Sequence, residues 1–244
     1  MIQSLSGHSL NRQSSMRDQV YALLRNLILT GDIRPGELID EKSIAAQLGI
    51  SRTPIREAVK RLSDEHLVDV VAQSATRASQ LDLKSIEEAF LIRRALEMES
   101  AAQASQAMTQ AHTDALANII NNHTHAIENK QFARAIDIDD EFHCYIARIN
   151  ELDRLWQTIE VSKAQLDRCR HIMLPRTGQA EKTIEQHRVI LRALNSADAK
   201  GARDAMQAHL NFAYESAINQ LNTSELQFPQ APKPGGRIKK NEQL

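Results

Sequence analysis

Four residues in the C-terminal part of this chain carry side chains that could do chemistry together. Asp139 and His143 lie four apart on a stretch whose apolar stripe also holds Phe132, Ile136 and Ile146. A carboxylate and an imidazole thus stand at core-facing positions and converge on one point. His187 shares a stripe with Ile184, Leu191 and Leu194, and His209 one with Ala202, Met206 and Ala213. An unpaired buried polar group is costly. Two readings meet that cost. Each imidazole is satisfied by a hydrogen bond in the core, or one Asp and three His hold a divalent transition metal. Zn²⁺, Ni²⁺ and Mn²⁺ all suit such a nitrogen-rich set. The spacing leaves both readings open. His123 and His125 read as a solvated helix face, Trp156 as core, His171 as a residue that could reach the same interior, and Cys144 as pointing away from it.

A second chemistry is concentrated near the N-terminus. Residues 49–62 hold Arg52, Arg56, Lys60 and Arg61 against one acid, Glu57. Arg52 and Arg56 share a helix face, and arginine can bridge two acceptors on guanine or clamp a phosphate. A solvated basic face is the alternative, and the whole chain gives DNA no help. Its net charge is −1, and residues 1–80 hold ten basic against nine acidic residues.

The elements around the cluster decide for DNA. A helix from Arg17 carries Val20, Leu23, Leu24, Leu27 and Ile28 on one stripe and ends at Gly31, followed by the turn Arg34-Pro35-Gly36. A short helix runs from about Glu41 to Leu48, with Asp40 as its cap. Gly49 supplies the left-handed backbone of a tight interhelical turn. Ser51 caps a third helix, Pro54 is tolerated in its first turn, and Ile55, Ala58, Val59 and Leu62 form its buried face. Two short strands fit the segments LVDVV and TRASQL, with the gap at Ala72–Ala75 between them. This is the order of a winged helix-turn-helix, whose third helix enters the major groove by its N-terminal end, here Ser51-Arg52-Thr53.

The rest of the chain reads as helical. Helices are expected near 84–106, 110–129, 132–149, 152–173, 180–195 and 198–221, each with an apolar stripe. Hydrophobic residues make up 42% and aromatics 4%, so aliphatic and Ala side chains must do the packing. The expected fold class is mainly α, a winged helix-turn-helix followed by an all-α six-helix bundle. The expected organisation is a disordered arm at 1–15, a DNA-binding domain at 16–80, a helical ligand-sensing domain at 81–222 and a disordered tail at 223–244. Cys144 and Cys169 have no metal or disulfide spacing and read as reduced thiols in a cytoplasmic protein. No signal peptide and no membrane-spanning segment is expected.

Residues 20–71, with IRPGELIDEKSIAAQLGI and SRTPIREAVKRLSDEHLV, closely resemble the head of the GntR family of transcription regulators. The resemblance implies that Arg52 and Arg56 contact DNA, that Thr53 meets a phosphate, and that Lys42 does so from the second helix. The family's wing tip usually holds Gly; here it reads Ala72-Gln73-Ser74-Ala75-Thr76-Arg77, leaving Gln73 and Arg77 as weaker candidates. Residues 82–221 resemble the FCD effector domain of the FadR subfamily, through IRRALE (92–97), DDEFH (139–143), EQHRVILRAL (185–194) and AMQAHL (205–210). That resemblance implies metal ligands at Asp139, His143, His187 and His209, and an arginine, Arg93, that faces the cavity and can bind a carboxylate. Six C-terminal helices are similar to the VanR-type branch.

The reading that follows is not an enzyme. It is a cytoplasmic, homodimeric regulator, a repressor by expectation, that places two recognition helices on a near-palindromic double-stranded operator and responds to a small carboxylate effector at a metal site. A metal-dependent hydrolase would leave the head unexplained, and an architectural DNA-binding protein would have no use for an interior metal site.

Overall fold

A computed structural model describes residues 10–11, 13–71, 75–177 and 179–223 of the 244. The head begins with α1 (Met16–Thr30), where the Ser15 side chain accepts from the Asp18 amide and Gly31, at φ 85°, ends the helix in the left-handed conformation. Asp40 caps α2 (Glu41–Leu48) through the Lys42 amide, and Gly49, at φ 64°, makes the expected interhelical turn. In α3 (Arg52–Asp64) the four expected apolar residues are buried. They join Val20, Leu24, Leu27, Ile28 and Ile44 in one core. Strands β1 (Val68–Val71) and β2 (Ala75–Ala78) pair antiparallel, with Val68 opposite Ala78. Residues 72–74, the expected wing tip with Gln73, lie outside the described residues.

The C-terminal part is a helical bundle. Its elements are α4 (Leu83–Ala104), α5 (Gln110–Glu128), α6 (Phe132–Arg148), α7 (Asp153–Ser162), α8 (Ala164–Thr177), α9 (Ala180–Asn195) and α10 (Ala199–Thr223). α4 packs along α10, α5 packs on α6 and α9, and α9 on α10. Their apolar stripes meet in a core that includes Leu116, Phe142, Ile146, Ile190, Leu194 and Met206. Trp156 is buried as expected, beside Cys144 and Ile159. Both cysteines are free thiols. Among the described residues no helix is long and apolar enough to cross a membrane.

The bundle departs from the expected six helices. The segment read as one helix over 152–173 is divided at Lys163, which closes α7 with φ −80° and ψ −2°. The Lys163 ammonium is buried and lies 2.5 Å from both Asp140 and Asp167. A lysine in sequence reads as solvated, so this inward turn was hidden. Among the described residues seven helices follow the head, and helix number gives no ground for the VanR-type branch.

α8 sits between the two parts, packing on α1 of the head and on α4 and α6 of the bundle. The entry to α4 is fixed locally, because Asp82 accepts from the backbone amides of Lys84 and Ser85. Asp82→Ala should therefore cost about 1 kcal/mol. For a chain of this size that lowers the melting temperature by roughly 2–4 °C. An unchanged melting temperature in calorimetry would show that the cap adds nothing.

Candidate metal centre and nucleic-acid interface

The fold brings together the four residues singled out in sequence. Asp139 and His143 come from α6, His187 from α9 and His209 from α10, and all are buried. One ligand atom from each lies within 4.8 Å of every other. His143 Nε2 and His209 Nε2 are 3.1 Å apart, and His187 Nε2 is 3.3 Å from Asp139 Oδ1. His187 is fully buried, stacks on Phe142 at 4.1 Å, and has no aligned hydrogen-bond partner at either ring nitrogen. Burial pushes its pKa down to about 4, only partly offset by Asp139. Burial also pulls His209 well down, with His187 and His143 adding to the effect. Both imidazoles are neutral at pH 7, the form that binds metals. Burial would raise the Asp139 pKa, but Arg170 and His187 outweigh it and hold the carboxyl well below its ordinary range.

The surroundings orient these groups. His143 Nδ1 lies 2.5 Å from Glu97 Oε2, and His209 Nδ1 lies 3.2 Å from the amide oxygen of Gln186. Glu97, buried on α4, is also held by Arg93, whose Nε donates to Oε1 at 2.6 Å. Arg93 thus lines the cavity as expected, but half of its fork is already engaged; its buried Nη2 has no partner. Arg170 lies 2.5 Å from Asp139 Oδ2 and 3.1 Å from Asp140 Oδ1. The cavity beside the cluster is lined by Arg93, His123, Asp139, Arg170, His209 and Phe212, among others.

Sequence reasoning missed three of these residues. Glu97 follows Arg93 by four and reads as half of a surface pair; only α4 packing against α6 and α10 buries it. Arg170 belongs to the run Asp167-Arg168-Cys169-Arg170-His171, which shows no clean stripe. His123, expected on a solvated face, is buried and lines the cavity, because it shares the inward face of α5 with Leu116, Ile119, Ile120 and Ile127. That helical spacing was the available signal. His125 is exposed, as expected, and His171 is half-buried outside the cavity lining.

In the head, Ser51, Arg52, Thr53 and Arg56 are exposed at the N-terminal end of α3, and Lys42 is exposed at the start of α2. Ser51 occupies the cap position of α3, but its side chain makes no capping hydrogen bond, contrary to expectation. Its backbone is extended, at φ −71° and ψ 163°. Arg52 Nη2 and Arg56 Nε both lie 3.2 Å from the same oxygen of Glu41 on α2. Glu41 thus gathers the two guanidinium groups at one point, a role nothing in the sequence suggested. Arg77, on β2, donates to the Gly36 carbonyl at 2.9 Å, which ties the base of the hairpin to the turn after α1.

The cluster should cost the metal-free protein stability, since the nitrogens of His187 give up water without an aligned partner. His187→Leu should raise the melting temperature of protein stripped with EDTA, by an amount matching about 1–3 kcal/mol. A lower melting temperature in calorimetry would mean that the imidazole is well satisfied where it stands.

Comparison with known proteins accounts for both parts. Residues 16–77 match the model for bacterial regulatory proteins of the gntR family, and residues 88–212 match the FCD domain. The HTH-type transcriptional repressor RspR of Escherichia coli (strain K12) is 30% identical over 216 residues, covering 88% of this chain and 95% of that protein. The HTH-type transcriptional regulator McbR of Escherichia coli (strain K12) is 26% identical over 207 residues, covering 82% and 94%. The solved structure of E. coli McbR/YncC shares the fold with a TM-score of 0.74 at 24% identity, covering 86% of this chain and 100% of that one. A GntR regulator from Rhodococcus sp. RHA1 does so with a TM-score of 0.71 at 21% identity, covering 84% and 99%. These families and relatives are transcription regulators, not enzymes. The chain belongs to the GntR family of DNA-binding transcription regulators, with an FCD domain following its helix-turn-helix head.

Proposed function

We propose that this regulator is a repressor whose hold on a near-palindromic operator is set by a small carboxylate, bound with one divalent transition metal ion in the helical domain. One observation carries the metal reading. Asp139, His143, His187 and His209, all buried, each bring a ligand atom within 4.8 Å of the others, and the Nε2 atoms of His143 and His209 are 3.1 Å apart. A proton shared between those two nitrogens leaves His187 without an aligned partner, whereas one cation takes all three imidazoles. Ligand–metal bonds of about 2.0–2.1 Å place two imidazole nitrogens on one ion roughly 2.9–3.4 Å apart. The separation found here fits, and the unpartnered ring nitrogens of His187 and the carboxylate of Asp139 complete the set. Zn²⁺, Ni²⁺ and Mn²⁺ remain the ions that suit it.

The cavity wall supports the carboxylate, since the guanidinium groups of Arg93 and Arg170 both line it. When bound, the metal supplies a Lewis-acid anchor for the ligand's oxygen. Arg93 Nη2, buried and without a partner at the cavity wall, is the donor that would hold the carboxylate. The cavity measures about 90 Å³, room for a handful of waters. That favours a ligand of few heavy atoms.

The repressor reading leans on the relative named a repressor. The homodimer follows from operator symmetry, which needs two heads one helical turn apart. Leu83, Leu91 and Ile92 on α4 are exposed apolar residues suited to that interface.

Two experiments test this reading. Protein loaded in turn with Zn²⁺, Ni²⁺ and Mn²⁺ and then dialysed should retain a single ion per chain by elemental analysis, and it should melt above its EDTA-treated form. His209→Ala should lose the ion and keep DNA binding. If none of the three ions is retained, the cluster is a hydrogen-bonded core. On a duplex selected from random sequence by the wild-type protein, Arg52→Ala and Arg56→Ala should each cost about 1–3 kcal/mol of specific binding. Thr53→Ala and Lys42→Ala should weaken all sequences evenly, and Lys42→Ala should flatten the salt dependence. Undiminished binding by the Arg52/Arg56 double variant would remove α3 as the reader.

A further inference from the structure

α8 carries two sets of buried polar side chains on opposite faces. Lys163 just before it, Asp167 and Arg170 follow a spacing of four and three, so they form one stripe. That stripe meets α6, where Arg170 grips Asp139 and Asp140 and Lys163 grips Asp140. Gln165 and Arg168 lie on the other side and hold the head. Gln165 Nε2 donates to the His66 carbonyl at 2.6 Å and to Ser79 Oγ at 2.9 Å. Arg168, fully buried, donates from Nη1 to the Ser79 carbonyl at 2.8 Å. Ala164, in the first turn, is part of the head's own apolar core. His66 and Ser79 flank the β-hairpin, which begins directly after α3. One helix therefore touches a candidate metal ligand with one face and the base of the DNA-reading unit with the other.

We propose that α8 is the lever between the two, with Arg170 as the cation that neutralises Asp139 until a metal ion takes its place. The inference rests on the metal reading above. A metal ion on Asp139 would share that single negative charge with the guanidinium and weaken its hold on it. An ion bound beside Asp139 repels the guanidinium, and a ligand carboxylate in the cavity, which Arg170 also lines, draws it the same way. Arg170 keeps partners as it leaves, since Asp140 and Asp167 lie 3.1 Å and 3.6 Å away. It can therefore shift without being stranded as a bare buried charge. Interior packing is too dense to absorb such a shift locally, so it passes along the helix to Gln165 and Arg168 and to the head they hold.

The opposite assignment makes a different prediction. A residue that merely orients a metal-ligating carboxylate supports the metal, and its loss weakens affinity about 10–100-fold. Zn²⁺ affinity is measured by calorimetry for wild type, Arg170→Gln and Arg170→Lys. DNA affinity is measured on the selected duplex with and without Zn²⁺. The lever requires Arg170→Gln to bind Zn²⁺ at least about tenfold more tightly, an outer-partner effect of reversed sign. The Arg170→Lys protein, which keeps the charge, should stay near wild type. The Gln165→Ala/Ser79→Ala double variant touches none of the four metal-centre residues. It should bind Zn²⁺ as wild type does but lose the change in DNA affinity that Zn²⁺ produces, because coupling between two sites is a property of what joins them. Weaker Zn²⁺ binding by Arg170→Gln, a wild-type DNA affinity indifferent to Zn²⁺, or full coupling in the double variant each overturns the lever while leaving the metal reading intact. No binding of Zn²⁺, Ni²⁺ or Mn²⁺ by wild type refutes the metal reading, and the lever with it.

Discussion

Asp139 holds a negative charge inside a helical bundle, buried by α6 and surrounded by three imidazoles, two of them held neutral by burial. In such a place the charge has to be met at short range, because little water is there to screen it. Much of the polar architecture of the C-terminal domain answers that demand. Arg170 is drawn in from α8, and Lys163, between α7 and α8, is drawn in to share Asp140 and Asp167. Glu97 lies beside Nδ1 of His143 and Gln186 beside Nδ1 of His209, while the two Nε2 atoms are 3.1 Å apart. The cluster contributes little to stability, because its imidazoles are buried without full hydrogen bonding. It is held by the apolar core around it, with Phe142 stacked on His187 and Met206 one turn before His209.

The head follows the same logic with a lighter touch. Its core is aliphatic, with one buried carboxylate, Glu65, met by Tyr21 and Arg25, and at the surface Glu41 gathers Arg52 and Arg56. These pairs are exposed and worth little to folding. Their consequence is positional, since two guanidinium groups that meet one carboxylate are already brought close before any DNA arrives. The buried contacts between the parts, Gln165 and Arg168 on His66 and Ser79, are of another kind. A fully buried arginine whose pKa is lowered by burial to about 10 is an expensive tie, and it makes the posture of the head depend on α8.

The chain by itself determined the elements and the four cluster residues. Helical periodicity placed α2 and α9 at their observed limits and the other helices within a few residues, except over 152–173, where two helices stand in place of one, and Gly49 fixed the turn between α2 and α3. Polar residues on apolar stripes are a local signal, so Asp139, His143, His187 and His209 could be singled out before any packing was known. What only the tertiary structure decided is which charges face them. Glu97, Arg170 and Lys163 look like ordinary solvated residues in sequence, because a charged side chain is exposed unless a partner from another helix makes burial tolerable. That partner lies far away along the chain: Glu97 finds His143, Arg170 finds Asp139, Arg168 finds Ser79. Periodicity records what faces inward on one helix. It does not record what another helix brings to the same point, and that pairing turns four well-placed residues into a site.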